Sequence, residues 1–219
     1  MGHHSKRVVL VLSMLLMAAP AWSMGGSKKS ETPEKSDRER RLEADRLYNL
    51  GLSHRGKAWV YAKQAVEAIE KDKRAYLRSA EREYKRAIKA LEKATREDKT
   101  HYPAWGSLGY AYRKTGNYKK ALKAYDRSIA LKADYVEALE YRAEAYLGLG
   151  RMQDAKADYV QVVKKDDRAA RLFLGVALDW SSNEKADGRK KLQAEDVSAF
   201  AKWVQEEQER LGPGEVSRW

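Results

Sequence analysis

Apolar residues along most of this chain return every three or four positions, the spacing of a helix face and not of a strand. The clearest run covers residues 102–180, broken at Gly116 and Gly150. Upstream, Lys57 to Glu97 contains neither Gly nor Pro. There the series Trp59, Ala62, Val66, Ile69 and then Leu77, Ala80, Tyr84, Ala87, Ile88, Leu91 predicts two long packed helices. The first is expected to reach about Lys71, with a turn at Asp72–Arg74 and a second helix to about Arg96; Gly56 is the competing break. Glu67–Lys71, Glu70–Arg74, Glu81–Lys85 and Glu92–Arg96 are spaced to pair along helix surfaces, each contributing about 0.2–0.5 kcal/mol. A solvated face is the plain account of these charges, and a basic docking surface is the functional one. Downstream, Asp167 to Trp180 predicts another helix, Ser181 to Lys191 a polar loop, and Ala194 to Leu211 an amphipathic helix closed by Gly212-Pro213-Gly214.

The helical segments repeat. Trp105-x-x-Leu108-Gly109-x-x-Tyr112 is followed by Ala121 and Tyr125. Tyr112 and Tyr146 are 34 residues apart, and the same step joins Gly116 to Gly150, Ala121 to Ala155 and Tyr125 to Tyr159. Gly109, Ala143, Ala121 and Ala155 are small enough for two helices to approach closely, and the tyrosines supply the facing bulk. Gly116 and Gly150 suit a left-handed helix end. Asn117 is placed to cap the next helix, and Asp134-x-x-Glu137 has the form of a capping box. Pro103 fits a first helical turn.

This pattern resembles the tetratricopeptide repeat (TPR) family over residues 38–182. Ala133 stands where such a repeat often closes on proline, and Leu139 and Arg142 replace the Trp105 and Leu108 of the first copy. The resemblance implies an all-α TPR helical-hairpin array, a right-handed α-solenoid. Its expected parts are an elongated N-terminal hairpin (38–97), repeats at 102–133 and 134–167, a partial repeat at 168–182, and a C-terminal capping helix within a loop-and-tail segment (183–219). A terminal helix with a polar outer face keeps the last apolar layer of such an array from water.

Residues 1–23 predict a secretory signal of bacterial type. Lys6 and Arg7 precede the apolar run Val8–Ala19, and Ala21-Trp22-Ser23 or Ala19-Pro20-Ala21 offers small residues for cleavage. An N-terminal membrane anchor is the alternative, but the apolar stretch to Trp22 is short against the ~20 residues that span a bilayer. Residues 24–37 are expected to be a flexible linker. The mature protein would be periplasmic or secreted. Removal of residues 1–23 lowers the formal charge from +12 to +10. Export argues against nucleic acid as the partner of this basic chain, and anionic envelope material is a further contact that the charge admits. The absence of Cys from the 219 residues excludes disulfides, thiolate nucleophiles and Cys-ligated metals.

No catalytic, cofactor or metal site is expected. Beyond the signal only His54 and His101 remain, without fixed partners in the sequence, and no G-x-S-x-G or phosphate-binding Gly-rich loop occurs. In TPR proteins the first helix of each hairpin lines a concave surface. The resemblance therefore points to a partner-binding groove of Gly106, Tyr110, Arg113 and Lys114 in one repeat and Glu137, Glu140, Tyr141 and Glu144 in the next. Tyrosine offers large contact area at low entropic cost. Pairing of Arg113 with Glu140 or Glu144 between repeats is the competing account of those charges. The resulting expectation is a non-enzymatic protein-protein adaptor binding a peptide or protein segment. The alternative is a structural subunit docked on a larger envelope complex through the basic hairpin.

Overall fold

The computed structural model describes residues 34–214. The expected signal, most of the linker and the tail beyond residue 214 lie outside these residues. Among them are eight α-helices, one turn of 3-10 helix at Arg189–Lys191, and no strand. No helix there is long and apolar enough to cross a membrane.

The first two helices form the elongated hairpin. Helix α1 (Asp37–Glu67) starts at a capping box, in which Ser36 and Glu39 satisfy each other's backbone N–H groups. It packs along α2 (Glu70–Glu97), and the Leu91 side chain sits against the bare α1 backbone at Gly51, where a Cβ would lie 2.6 Å from Leu91 Cγ. The break falls at Ala68 and Ile69, both extended, and not at Asp72–Arg74. Helix α2 opens with Glu70 and Asp72, and negative charge is favoured at a helix N-terminus, so the turn precedes this acidic pair. Glu67 and Lys71 thus fall on different helices. The apolar series that predicts the inner face also overreaches: Val66, Ile69 and Leu77 are 82%, 70% and 50% exposed.

Three further hairpins follow: α3 (Tyr102–Lys114) with α4 (Tyr118–Leu131), α5 (Val136–Leu147) with α6 (Met152–Val163), and α7 (Asp167–Ser182) with α8 (Ala194–Leu211). Gly116 and Gly150 both take φ 73°. In each case the two N–H groups at the turn return to the last helical turn, Asn117 to the Tyr112 carbonyl and Gly116 to Arg113, then Arg151 to Tyr146 and Gly150 to Leu147. That is the hydrogen-bond pattern of a Schellman C-cap. Two expected N-caps do not form. Asn117 precedes α4, but its amide donates to the Thr115 carbonyl and hydroxyl. Helix α5 begins after Tyr135, one residue beyond Asp134, with no side-chain cap, because the Tyr135 ring is engaged over Gly106 and against Tyr102.

Helices α1, α3, α5 and α7 form one layer, each touching the next, and their partners pack behind them. The small positions set the spacing. A Cβ on Gly109 would lie 2.6 Å from the Tyr125 ring, while Ala121, Ala143 and Ala155 are fully buried. Tyr125 and Tyr159, one period apart, are among the largest fully buried side chains. Helix α8 closes the array by laying Phe200 and Val204 on Phe173, Ala177 and Trp180. Trp180 packs edge-on to Phe200, and Tyr159 likewise to Trp203. Arg171 donates to the Leu211 and Gly212 carbonyls, satisfying the end of α8.

Candidate functional site

The first-helix layer carries an open groove of about 590 Å³, bounded by α3, the α4–α5 turn, α5 and the start of α7. Two tyrosine pairs dominate it. Tyr110 from α3 and Tyr141 from α5 pack edge to face at 5.2 Å, and Tyr102 and Tyr135, at the starts of the same helices, do so at 5.1 Å. Cations attend the rings: Lys114 Nζ lies 5.8 Å from the Tyr110 centroid and Lys132 Nζ 5.0 Å from that of Tyr102. Ser128 donates to the Tyr102 carbonyl, tying α4 to the start of α3. Asp134, Glu137, Glu140, Asp166 and Arg168 add charge of both signs, and Ala169 and Leu172 an apolar end.

Below the first tyrosine pair lies a buried ion pair. Arg113 donates to Glu144, joining α3 to α5. The guanidinium also sits 5.2 Å from the Tyr110 centroid and 5.1 Å from that of Tyr141, so both rings rest on it. Burial works against the charge of Arg113, but Glu144, Tyr125 and Tyr110 together more than offset this and hold the group above its usual value. The Tyr135 phenol is pushed up, first by burial and then by Glu137.

The eight residues singled out by sequence therefore separate by depth. Tyr110, Lys114, Glu137, Glu140 and Tyr141 line the groove. Arg113 and Glu144 lie beneath it as a pair, the between-repeat account of those charges. Gly106 is buried: a Cβ there would meet the Tyr135 ring at 2.8 Å, so its bare backbone is what lets Tyr135 fold over α3. The groove also contains Tyr102, Lys132, Tyr135 and Arg168. Tyrosines at helix starts were the available signal for two of these, but at a helix start the spacing of a face cannot yet be read.

His54 and His101 each tie neighbouring segments to α1. His54 Nδ1 lies 2.7 Å from Glu83, linking α1 to α2. His101 Nδ1 accepts the Ala104 N–H, which leaves its Nε2–H to donate to Asp45 at 3.1 Å. Among the described residues no group of His, Asp or Glu is arranged to hold a metal ion.

Comparison with known proteins decides the family. A family model described as Tetratricopeptide repeat matches residues 102–135, and a second with the same description matches residues 141–214. This is a tetratricopeptide repeat protein. Human Superkiller complex protein 3 is similar to it, 29% identical over 92 residues. That match covers 42% of this chain and 6% of the human protein. The groove of this TPR protein lies where the two matched segments meet, since α3 belongs to the first and most of α5 and α7 to the second.

Proposed function

We propose that this TPR protein is a non-enzymatic protein-protein interaction adaptor whose groove holds a peptide or protein segment. The observation that carries this reading is the set of two edge-packed tyrosine pairs opening on one groove, the Tyr110–Tyr141 pair resting on a buried cation. Such rings offer area that is already ordered, so a partner loses little entropy in using them. Charges of both signs at the rim favour a polar segment in a fixed register over a featureless apolar one. The repeats themselves support an interaction role, and the name of the human relative assigns that protein to a complex.

The test is photo-crosslinking in the native host from residues 114 and 137 at the rim, with residue 123 on α4 as the control. A partner segment captured from both rim positions and not from the control, then bound as a synthetic peptide, supports the reading. Equal capture from all three positions rejects it.

The same reading takes the protein to be exported, on Lys6, Arg7, the apolar run Val8–Ala19 and Ala21-Trp22-Ser23. Native protein beginning between Trp22 and Gly25 supports export with cleavage. Membrane-bound protein with Met1 intact rejects cleavage.

A further inference from the structure

The N-terminal hairpin is far longer than the repeats that follow. Its helices of 31 and 28 residues extend roughly 46 and 42 Å, against about 18–24 Å for the 12 to 16 residues of α3 to α7. Contacts that seat α3 on it run from Tyr48 against His101 at one end to Arg55 and Tyr84 against Tyr110 at the other. Beyond that end, the hairpin continues as a two-helix finger whose seam is built from Ala58, Ala65 and Ala80.

Among the described residues, eight large apolar side chains are exposed, and five of them lie on this finger: Val60, Tyr61, Val66, Ile69 and Leu77. Scattered exposed apolar residues are ordinary; their concentration at one end of a projection is not. Basic residues surround them. Between residues 57 and 82, Lys57, Lys63, Lys71, Lys73, Arg74, Arg78 and Arg82 are all exposed, against four exposed acids, Glu67, Glu70, Asp72 and Glu81. Two of those acids are already paired, Glu70 with Arg74 and Glu81 with Lys85.

We propose that the fingertip docks on an anionic phospholipid bilayer, inserting Val66 and Ile69 into the headgroup region. The dimensions suit it. Val60 and Leu77 lie about 10 Å back from the break, and interfacial elements bury to a depth of ~5–10 Å. Tyr61 and Trp59 then reach headgroup level, where aromatic rings with a polar edge collect, and Lys63 lies 5.8 Å from the Trp59 ring centroid. The excess of lysine and arginine supplies attraction to anionic lipid. Charge also selects against a second copy of the chain as the occupant, because two fingertips would set basic rims against each other. This inference stands apart from the groove reading, since the finger and groove share no lining residue.

The chain has no Cys, so Val66→Cys can be labelled uniquely with an environment-sensitive dye in the full-length protein. Lys123→Cys on α4 is the control. Vesicles rich in phosphatidylglycerol should shift the residue 66 emission to the blue, and phosphatidylcholine vesicles should not. The control dye should stay unshifted on both. Adding Lys71→Glu and Lys73→Glu should raise the lipid concentration needed for half the shift about tenfold or more. These positions are exposed, so the helical melt serves as a check that the variants fold. An unshifted residue 66 on anionic vesicles overturns the proposal. So does an equal shift on both lipids, which means insertion without charge selection. A shift that grows with protein concentration in the absence of vesicles overturns it in favour of a second copy.

Discussion

Arg113 and Glu144 meet across the α3–α5 interface with side chains only 9% and 5% exposed. The pair joins one repeat to the next and forms the bed on which Tyr110 and Tyr141 lie. Its two charges are worth most to the fold together. Removing one partner from a buried pair strands the other and costs about 3–5 kcal/mol, whereas replacing both with apolar residues of similar size is often near neutral. Glu144→Leu is therefore expected to destabilise by about 3 kcal/mol or more, and Arg113→Met with Glu144→Leu by less than Glu144→Leu alone. Urea melts of the single and double variants measure this directly. Additive losses would mean that the pair does not couple the repeats.

Packing at the small positions makes a second prediction. The missing Cβ of Gly109 would lie 2.6 Å from the Tyr125 ring, and Tyr125 is fully buried. Gly109→Leu should cost about 1–3 kcal/mol or more through overpacking, and Ala121→Leu a comparable amount. Lys119→Ala, at an exposed position on α4, should stay within about 0.5 kcal/mol. Thermal melts that rank the three as equal would reject the repeat register.

That register was the legible part of the molecule. A 34-residue period fixes which residues must be small, which aromatic and where the chain must turn left-handed, because each repeat faces the same neighbour. Gly116 and Gly150 with matching φ are its plainest trace. The hairpin turn was not legible: Ala68 and Ile69 are ordinary helix residues, and the break there depends on the acidic start of α2. Capping signals at Asn117 and Asp134 misled, since local side-chain preferences yielded to ring packing and to competing acceptors on Thr115. In the site, spacing identified helix-face residues such as Tyr110 and Tyr141. Tyr102 and Tyr135 escaped it because they stand at the first position of α3 and the N-cap of α5, where the spacing of a helix face begins and cannot be read. Spacing also gave no measure of depth, which is why Arg113 and Glu144 were grouped with the rim.

Acid should loosen the N-terminal hairpin through Glu83. This buried carboxylate lies 2.7 Å from His54 and accepts from Arg86. Burial opposes its ionisation, yet the His54 hydrogen bond and the Arg86 charge outweigh that and hold it below its ordinary 4.5. A depressed carboxyl stabilises the fold above its unfolded value, and that contribution is lost as pH falls through its folded value. Glu83→Gln should thus lower stability at pH 7 by about 1–3 kcal/mol. The gap to the natural protein should narrow progressively as pH drops below 4.5. Urea melts at pH 7 and below pH 4 compare the two, and a constant gap would remove Glu83 as an acid-sensitive tie.

The groove itself carries the last prediction, to be made on the peptide that rim crosslinking identifies. Tyr110 and Tyr141 present an aromatic surface in it that is braced by each other and by Arg113. Interface tyrosines that dominate binding commonly cost ~2 kcal/mol when truncated, about 30-fold in affinity. Tyr110→Ala with Tyr141→Ala should therefore reduce peptide affinity by about two orders of magnitude or more by calorimetry. Removing the rings also uncovers Arg113, so the melting temperature should fall while the helical signal at 25 °C persists. Rim charge should act differently. Glu137 is exposed, whereas Glu140 is 4% exposed and Glu144 is committed to Arg113, so Glu137→Lys is the reversal that leaves the fold undisturbed. Its effect should appear mainly in the association rate and should fade as salt rises, because exposed rim charges steer encounter more than they hold the complex. A folded double-tyrosine variant that binds the peptide at the natural affinity would reject the groove as the binding surface.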